Sequence, residues 1–353
     1  MTSRTYSFVC ASRLRRSMLS ALVLLSLSPT SSASAFAEET VKDANFYENL
    51  ARVDIESQHP EAAVEHASKA IELNPKSSVA FNERGGAQYL LQNYKDALND
   101  FTIAIELDRG NFEALCNRGS LNRDLKKFPD AVADYLRAHE LNPQSFSALT
   151  DLSSVYIDMG AYDKAIEECN RALAINPNDW NAYSNRAESY VSLGKYPDGI
   201  KDATKSLELN EKNPRALLVR GIANVKARKF REAVEDCSSS IALKPLENFS
   251  YYYICVAYLH LGEYQRCIDS MTKAIASDMR TKFAYYDRGM SYEQIGQHDK
   301  AAADLAKTKE LGAISGESTD EVSFTVSYPG VQNKASASDS KQSSNNASAP
   351  CKT

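Results

Sequence analysis

The side chains able to do chemistry are present in this sequence, but their spacing does not assemble them into a centre. Five histidines, His59, His66, His139, His260 and His298, lie far apart. No H-E-x-x-H pair occurs to hold zinc and supply a general base. No G-x-S-x-G turn raises a nucleophilic serine, and no glycine-rich loop cradles a phosphate. Seven cysteines include no C-x-x-C pair, so neither a zinc site nor a redox motif is spelled out. Carboxylates are plentiful, but at helical spacing they form a solvated face. The expectation is a non-catalytic protein with no cofactor, no metal and no small-molecule substrate.

Two constellations remain. Cys255 and Cys267 would face each other across a helix pair, where an oxidising compartment would let them form a disulfide. The competing reading is that these cysteines, like Cys169 and Cys237, are small core hydrophobes. The second constellation is Arg84, Arg118, Arg186, Arg220 and Arg288, which could form an anion track along one ridge. Alternatively they pair with acids such as Asp96, Asp100, Asp134, Asp202 and Asp236, or lay their stems over a packing seam.

Both constellations sit on a ruler. Ala51, Gly85, Gly119, Ser153, Ala187, Gly221, Cys255 and Gly289 are each 34 positions apart. Ala63, Ala97, Ala131, Ala165, Gly199, Ala233, Cys267 and Ala301 keep the same step, as do Ala70, Ala104, Ala138, Ala172, Ser206, Ser240, Ala274 and Thr308. Small residues in fixed register mean that backbones approach closely at one point in every unit, as in a stacked repeat array.

The stretch from Phe146 to Asp179 shows how one unit is built. Leu149, Leu152, Ser153 and Tyr156 line one face of a first helix. Gly160 suits a left-handed C-cap. Tyr162 opens a second helix with Ala165, Ile166, Cys169, Ala172 and Leu173 on one face, and Asn176-Pro177 stops it. The turn recurs as Leu193-Gly194-Lys195-Tyr196 and Leu261-Gly262-Glu263-Tyr264. The stop recurs as Leu73-Asn74-Pro75, Leu141-Asn142-Pro143 and Leu243-Lys244-Pro245. In these features the chain resembles the tetratricopeptide repeat family. That resemblance implies an all-α fold, a right-handed superhelical α-solenoid of eight 34-residue helix-turn-helix repeats over residues 38–315.

The resemblance also implies which side chains face the concave groove, namely positions two, five, six, nine, twelve and thirteen of each unit. Units two to five offer mostly polar groups there, including Asn82, Glu83, Asn117, Asp151, Asn185 and Glu188. Units six to eight offer Leu218, Ile222, Phe249, Tyr252, Tyr253, Val256, Leu259, Phe283, Tyr286 and Met290, with Asp287, Glu293 and His260 at the rim. An apolar, tyrosine-rich face has no packing reason within one repeat, so it is expected to bind a peptide or partner helix. Cover by the C-terminal segment and a homo-oligomer are the alternative occupants. The family's carboxylate clamp needs Lys at position five and Asn at position nine. Glu48, Asn82, Cys116, Thr150, Ser184, Leu218, Tyr252 and Tyr286 stand at the first, and no Asn stands at the second.

The ends read differently. Arg4, Arg13, Arg15 and Arg16 precede an apolar run from Met18 to Leu27 and an Ala35-Phe36-Ala37 end, the pattern of a signal peptide over 1–37 cleaved near Ala37. An uncleaved anchor and an organellar transit peptide are the alternatives. Cleavage removes four arginines and no acid, taking the formal charge from -5 to -9. Such a chain has no phosphate-binding footprint, so a nucleic-acid partner is not expected. The protein is therefore expected to be exported, periplasmic or secreted. Residues 316–353 read as a short extended segment followed by a disordered Ser/Ala/Asn-rich tail. A competing function class is a structural accessory subunit of an envelope or secretion assembly.

Overall fold

A computed structural model describes residues 43–245, 248–276 and 282–312. The leader, its cleavage point and the tail lie outside the described residues. The described chain is helical, and it divides into two compact bodies with the chain boundary between Glu211 and Lys212.

The first body holds α1 (Ala44–Glu56), α2 (Pro60–Leu73), α3 (Ser78–Leu90), α4 (Tyr94–Leu107), α5 (Phe112–Asp124), α6 (Phe128–Leu141), α7 (Phe146–Asp158), α8 (Tyr162–Ile175), α9 (Trp180–Ser192) and α10 (Tyr196–Leu209). The second holds α11 (Pro214–Lys226), α12 (Phe230–Leu243), α13 (Asn248–Leu261), α14 (Tyr264–Ala276), α15 (Lys282–Gln294) and α16 (His298–Gly312). Within each body every helix packs on the next, and the odd-numbered helices also touch one another. That is the expected stack of helix pairs.

Local chemistry fixes each boundary. Before the first helix of five repeats stands a short polar residue, Asp43, Ser77, Asn111, Asp179 or Asn213, whose side chain takes up an orphan backbone N–H. Ser77 Oγ accepts from Ala80 N at 3.1 Å, and Asn111 Oδ1 accepts from Ala114 N at 2.9 Å. The first helix ends in a left-handed residue, which lets the chain reverse into the second. Gly160 has φ 73° there, and Gln58, Gln92, Lys126 and Arg228 hold the same conformation at φ 58–63° without glycine's freedom. The turn geometry is therefore set by the packed pair, and glycine merely makes it easier.

The core follows the three small columns. Ala63, Ala97, Ala131, Ala165 and Ala233 are fully buried, as are Ala70, Ala104, Ala138 and Ala172. A Cβ on Gly221 would lie 2.6 Å from Cys237 Sγ, so a larger residue there must displace the buried Cys237 side chain. Where the third column carries a hydroxyl, the repeat satisfies it. Ser206 Oγ donates to Trp180 O at 2.8 Å, and Ser240 Oγ donates to Pro214 O at 3.0 Å. Each acceptor is the first residue of the same repeat, so these hydroxyls add a tie between the paired helices.

The arginine ridge is an ion-pair ladder. Arg84 grips Asp100 with two bonds of 2.8 Å, and Arg118, Arg186, Arg220 and Arg288 grip Asp134, Asp202, Asp236 and Asp304 in the same way. Asp96 is not the partner of Arg84, because it stands four residues too early on α4 to meet the guanidinium fork. Each aspartate is buried while its arginine keeps part of its surface in water. The pairing consumes the ridge's positive charge, which argues against an anion track. The two positions change together. Leu50 with His66, Leu152 with Glu168 and Ile254 with Ser270 replace the pair in the first, fourth and seventh repeats. The first repeat restores a tie by another route, with His66 Nδ1 2.6 Å from Asp54 Oδ2.

Candidate functional site

In the second body, α11, α13 and α15 present the residues expected to face a partner. Leu218, Ile222, Tyr252, Tyr253, Phe283 and Met290 are half-buried. Phe249 and Tyr286 are exposed, at 58% and 36%. Val256 and Leu259 are buried, at 4% and 9%, and so are not available as contact residues. Val256 packs with Val225, Ala233 and Ala257 under Phe230, Tyr252 and Tyr253. Leu259 joins Tyr251, Cys255, Cys267 and Met271. Part of this face thus has a packing role that the reading of a single repeat does not reveal: the neighbouring repeat covers it.

Tyr252 and Tyr253 meet edge to face, with ring centroids 5.2 Å apart. Burial, then the nearby Asp287 and Tyr253, push the Tyr252 hydroxyl well above the usual tyrosine range, so it stays protonated and able to donate a hydrogen bond. Asp287 is itself buried beside this pair and does not form an exposed rim. His260 stacks on Phe230 at 4.3 Å, and burial followed by Arg228 lowers its pKa. Glu293 is exposed and lies 3.0 Å from His298. The face is therefore broad and aromatic, with the Asp287 carboxyl buried beside the tyrosine pair, and open at Phe249 and Tyr286.

In the first body the corresponding face is polar and bonded to itself. Asn117 Nδ2 donates to Asn82 Oδ1 at 3.0 Å, and Asn185 Nδ2 donates to Ser153 Oγ and Ser154 Oγ at 2.9 Å. Thr150 Oγ1 donates to Asp179 Oδ2 at 2.6 Å. Arg52 sits 3.1 Å from Glu83, and Arg123 sits 2.6 Å from Asp158. Burial raises the Glu83 carboxyl to about 7, opposed by Arg52. Burial raises Asp151 to about 7 as well, opposed by Arg123 and helped by Asp179. Asp151 keeps some surface, so its shift reflects close packing around the carboxyl more than complete enclosure. Polar groups committed to one another have little left for a ligand.

Cys255 and Cys267 do face each other: their Cα atoms are 4.3 Å apart, the sulfurs are within bonding distance, and both residues are fully buried. Cys169 and Cys237 are buried alone, and burial raises the Cys169 thiol to about 12. That makes Cys169 a core residue and not a nucleophile. Among the described residues no group of three His, Cys, Asp or Glu side chains could hold a metal ion. No described helix is long and apolar enough to cross a membrane.

The sequence offered the five arginines and four of the five aspartates as possible pairs, but the joint replacement of the two positions went unread, and Asp304 with it. Their signal is the replacement of positions seven and twenty-three of the repeat in the same three units, visible only when the two columns are read together.

Comparison with known proteins agrees with this architecture. Three family models described as "Tetratricopeptide repeat" match residues 49–112 and 184–248, 112–145, and 284–311, and a fourth described as "TPR repeat" matches 153–194. No curated relative matches the chain in sequence. A solved tetratricopeptide repeat protein from Parabacteroides merdae is 23% identical at a TM-score of 0.52, over 68% of this chain and 95% of that one. The Cut9–Hcn1 hetero-tetramer of the APC/C matches at 14% identity and a TM-score of 0.63, over 70% of this chain and 49% of that one. Pseudomonas aeruginosa pilF matches at 20% identity and a TM-score of 0.51, over 57% of this chain and 92% of that one. These likenesses concern the fold, and repeats of this kind are generally non-catalytic scaffolds for protein contacts. The chain belongs to the tetratricopeptide repeat family.

Proposed function

We propose that this protein is a non-catalytic scaffold that holds another protein against the aromatic face of α11, α13 and α15. The observation that carries the reading is the exposure of Phe249 and Tyr286. They are the aromatic members among the large apolar side chains left exposed in the described residues. Both stand at inward-facing positions of adjacent repeats, beside the Tyr252–Tyr253 pair. Exposed aromatics in neighbouring register favour an apolar segment lying across the two repeats, because tyrosine and phenylalanine give large contact area at low entropy cost. The occupant that fits is the apolar face of a partner's helix or extended segment.

We further propose that the chain acts after export, on the strength of the arginine-rich, apolar leader at its start. The test of the binding reading is the double substitution F249S/Y286S, which removes exposed rings without opening the core. Affinity purification from the native host should recover a defined protein with the wild type and lose it with the variant, while the helical circular dichroism stays unchanged. An unchanged set of bound proteins would exclude this face as the binding site. Concentration-dependent dimerisation abolished by the same variant would identify the occupant as a second copy of the chain instead.

A further inference from the structure

Cys255 on α13 and Cys267 on α14 occupy the point where the two helices of each repeat come closest. Elsewhere that point is held by Ala51 with Ala63, Gly85 with Ala97, Gly119 with Ala131, Ser153 with Ala165, Ala187 with Gly199, Gly221 with Ala233, and Gly289 with Ala301. None of these pairs is bulkier than Ser with Ala. The crossing is tight as well as small: a Cβ added at Gly199 would lie 3.2 Å from Ala187 O, and one at Gly85 would lie 3.3 Å from Ala97 O.

The seventh repeat must fit two sulfurs into that space, with Cα atoms 4.3 Å apart and neither residue exposed. Unbonded atoms of this size rest roughly 3.5–4 Å apart, whereas a covalent bond draws two sulfurs to about 2 Å. A crossing this close accepts two cysteines as one bonded unit. As separate thiols they would wedge the helices apart.

A second observation points the same way. The seventh repeat lacks the ladder rung that ties its paired helices, because Ile254 and Ser270 stand where Arg and Asp stand in five other repeats. Cys255 directly follows Ile254, just as the small residue follows the arginine elsewhere. We propose that Cys255 and Cys267 form a native disulfide that ties α13 to α14 in place of the missing ion pair. The bond forms as the two thiols give up two protons and two electrons to a disulfide of an exchange partner, which leaves as two thiols. Both sulfurs are buried, so the exchange takes place while the helix pair is open, during folding or transient unfolding. The tie fixes α13, the helix that carries Phe249, Tyr252 and Tyr253. It stands whether or not that face binds a partner.

Two measurements test it. The full chain is isolated without reductant, its free thiols are blocked under denaturing conditions, and its peptides are mapped by mass spectrometry. A peptide carrying Cys255 linked to one carrying Cys267 is expected, and finding both cysteines blocked as free thiols would overturn the proposal. Hydrogen exchange at α13 and α14 is then compared for the oxidised chain, the chain unfolded and refolded in reductant, and C255G/C267A treated in both ways. That variant restores the pair found at Gly221 and Ala233, so it folds without needing a bond. Reduction should speed exchange of the wild-type α13 amides by roughly a hundredfold, the restriction expected of a link closing a loop of this length, and should leave the variant unchanged. A reduced wild type that fails to refold where the variant succeeds is the same result in stronger form. A change of less than about twofold in the wild type, or an equal response in the variant, would overturn the tie.

Discussion

Arg118 and Asp134 offer the sharpest energetic test of how these repeats are held together. Arg118 donates Nε to Asp134 Oδ2 at 3.0 Å and Nη2 to Oδ1 at 2.7 Å, while Asn122 Nδ2 reaches Oδ2 at 3.1 Å. Asp134 is 5% exposed, so removing the guanidinium leaves a buried carboxylate with only Asn122 to solvate it. Loss of one partner from a fully buried pair costs ~3–5 kcal/mol. The Arg118 side chain keeps 23% of its surface in water, which lets solvent follow it out and lowers the expected cost. R118I should therefore destabilise the first body by about 2–3 kcal/mol. The double variant R118I/D134S copies the Ile254 and Ser270 found in the seventh repeat and removes the stranded charge. It should cost about 1 kcal/mol or less, which is less than R118I alone, so the two changes are coupled. Urea unfolding followed by both circular dichroism and hydrogen exchange is the suitable assay, because repeat arrays need not unfold in one step. If R118I alone costs under about 0.5 kcal/mol, or if the double variant costs the sum of the singles, the ladder is not a coupled tie and the reasoning fails.

Three further outcomes follow from other features. Gln92 holds a left-handed conformation at φ 63° that glycine adopts freely, so Q92G should stabilise the chain by ~1 kcal/mol, and G262A, at φ 74°, should destabilise it by a similar amount. Both changes are read from denaturant midpoints. Glu83 binds its proton more tightly folded than unfolded, with its carboxyl raised to about 7 from an ordinary 4.5. Its contribution is therefore greatest below about 4.5 and is lost as the pH rises through about 7. Wild-type stability should fall by ~1–3 kcal/mol relative to E83Q between about pH 5 and pH 8, and parallel pH profiles would rule out a buried, proton-linked Glu83. Substituting Gly221 by valine should destabilise the second body by about 1–3 kcal/mol, because the first added carbon meets Cys237 Sγ at 2.6 Å and the two methyls crowd the seam further. A folded G221V of near wild-type stability would contradict the close crossing.

The 34-residue register made the helix pairs readable, because a fixed period leaves only one way to stack them. Gly160 as a left-handed cap and the small columns as the helix seam were legible for the same reason: each depends on one repeat alone. What stayed hidden depends on two positions or two repeats at once. Asp100 and Asp96 are both acids on α4, and only the reach of the Arg84 fork selects Asp100. Val256 occupies an inward-facing position, yet Val225 and Phe230 of the preceding repeat cover it. The aromatic face was thus legible as a zone, while which of its side chains stay exposed depends on what the neighbouring repeat buries. A partner leaves no comparable imprint, because a broad aromatic face accepts many apolar surfaces and carries no fixed pattern of hydrogen bonds to read.

The proposed role of the aromatic face in the last repeats is to hold a protein. Its most direct measurement is site-specific photo-crosslinking in the native host, with the reactive side chain placed at Phe249, at Tyr286 and, as a control, at Leu243, which is 43% exposed on α12. Phe249 and Tyr286 should capture the same protein, and Leu243 should not. Equal capture from all three positions, or capture from Leu243 alone, would contradict it.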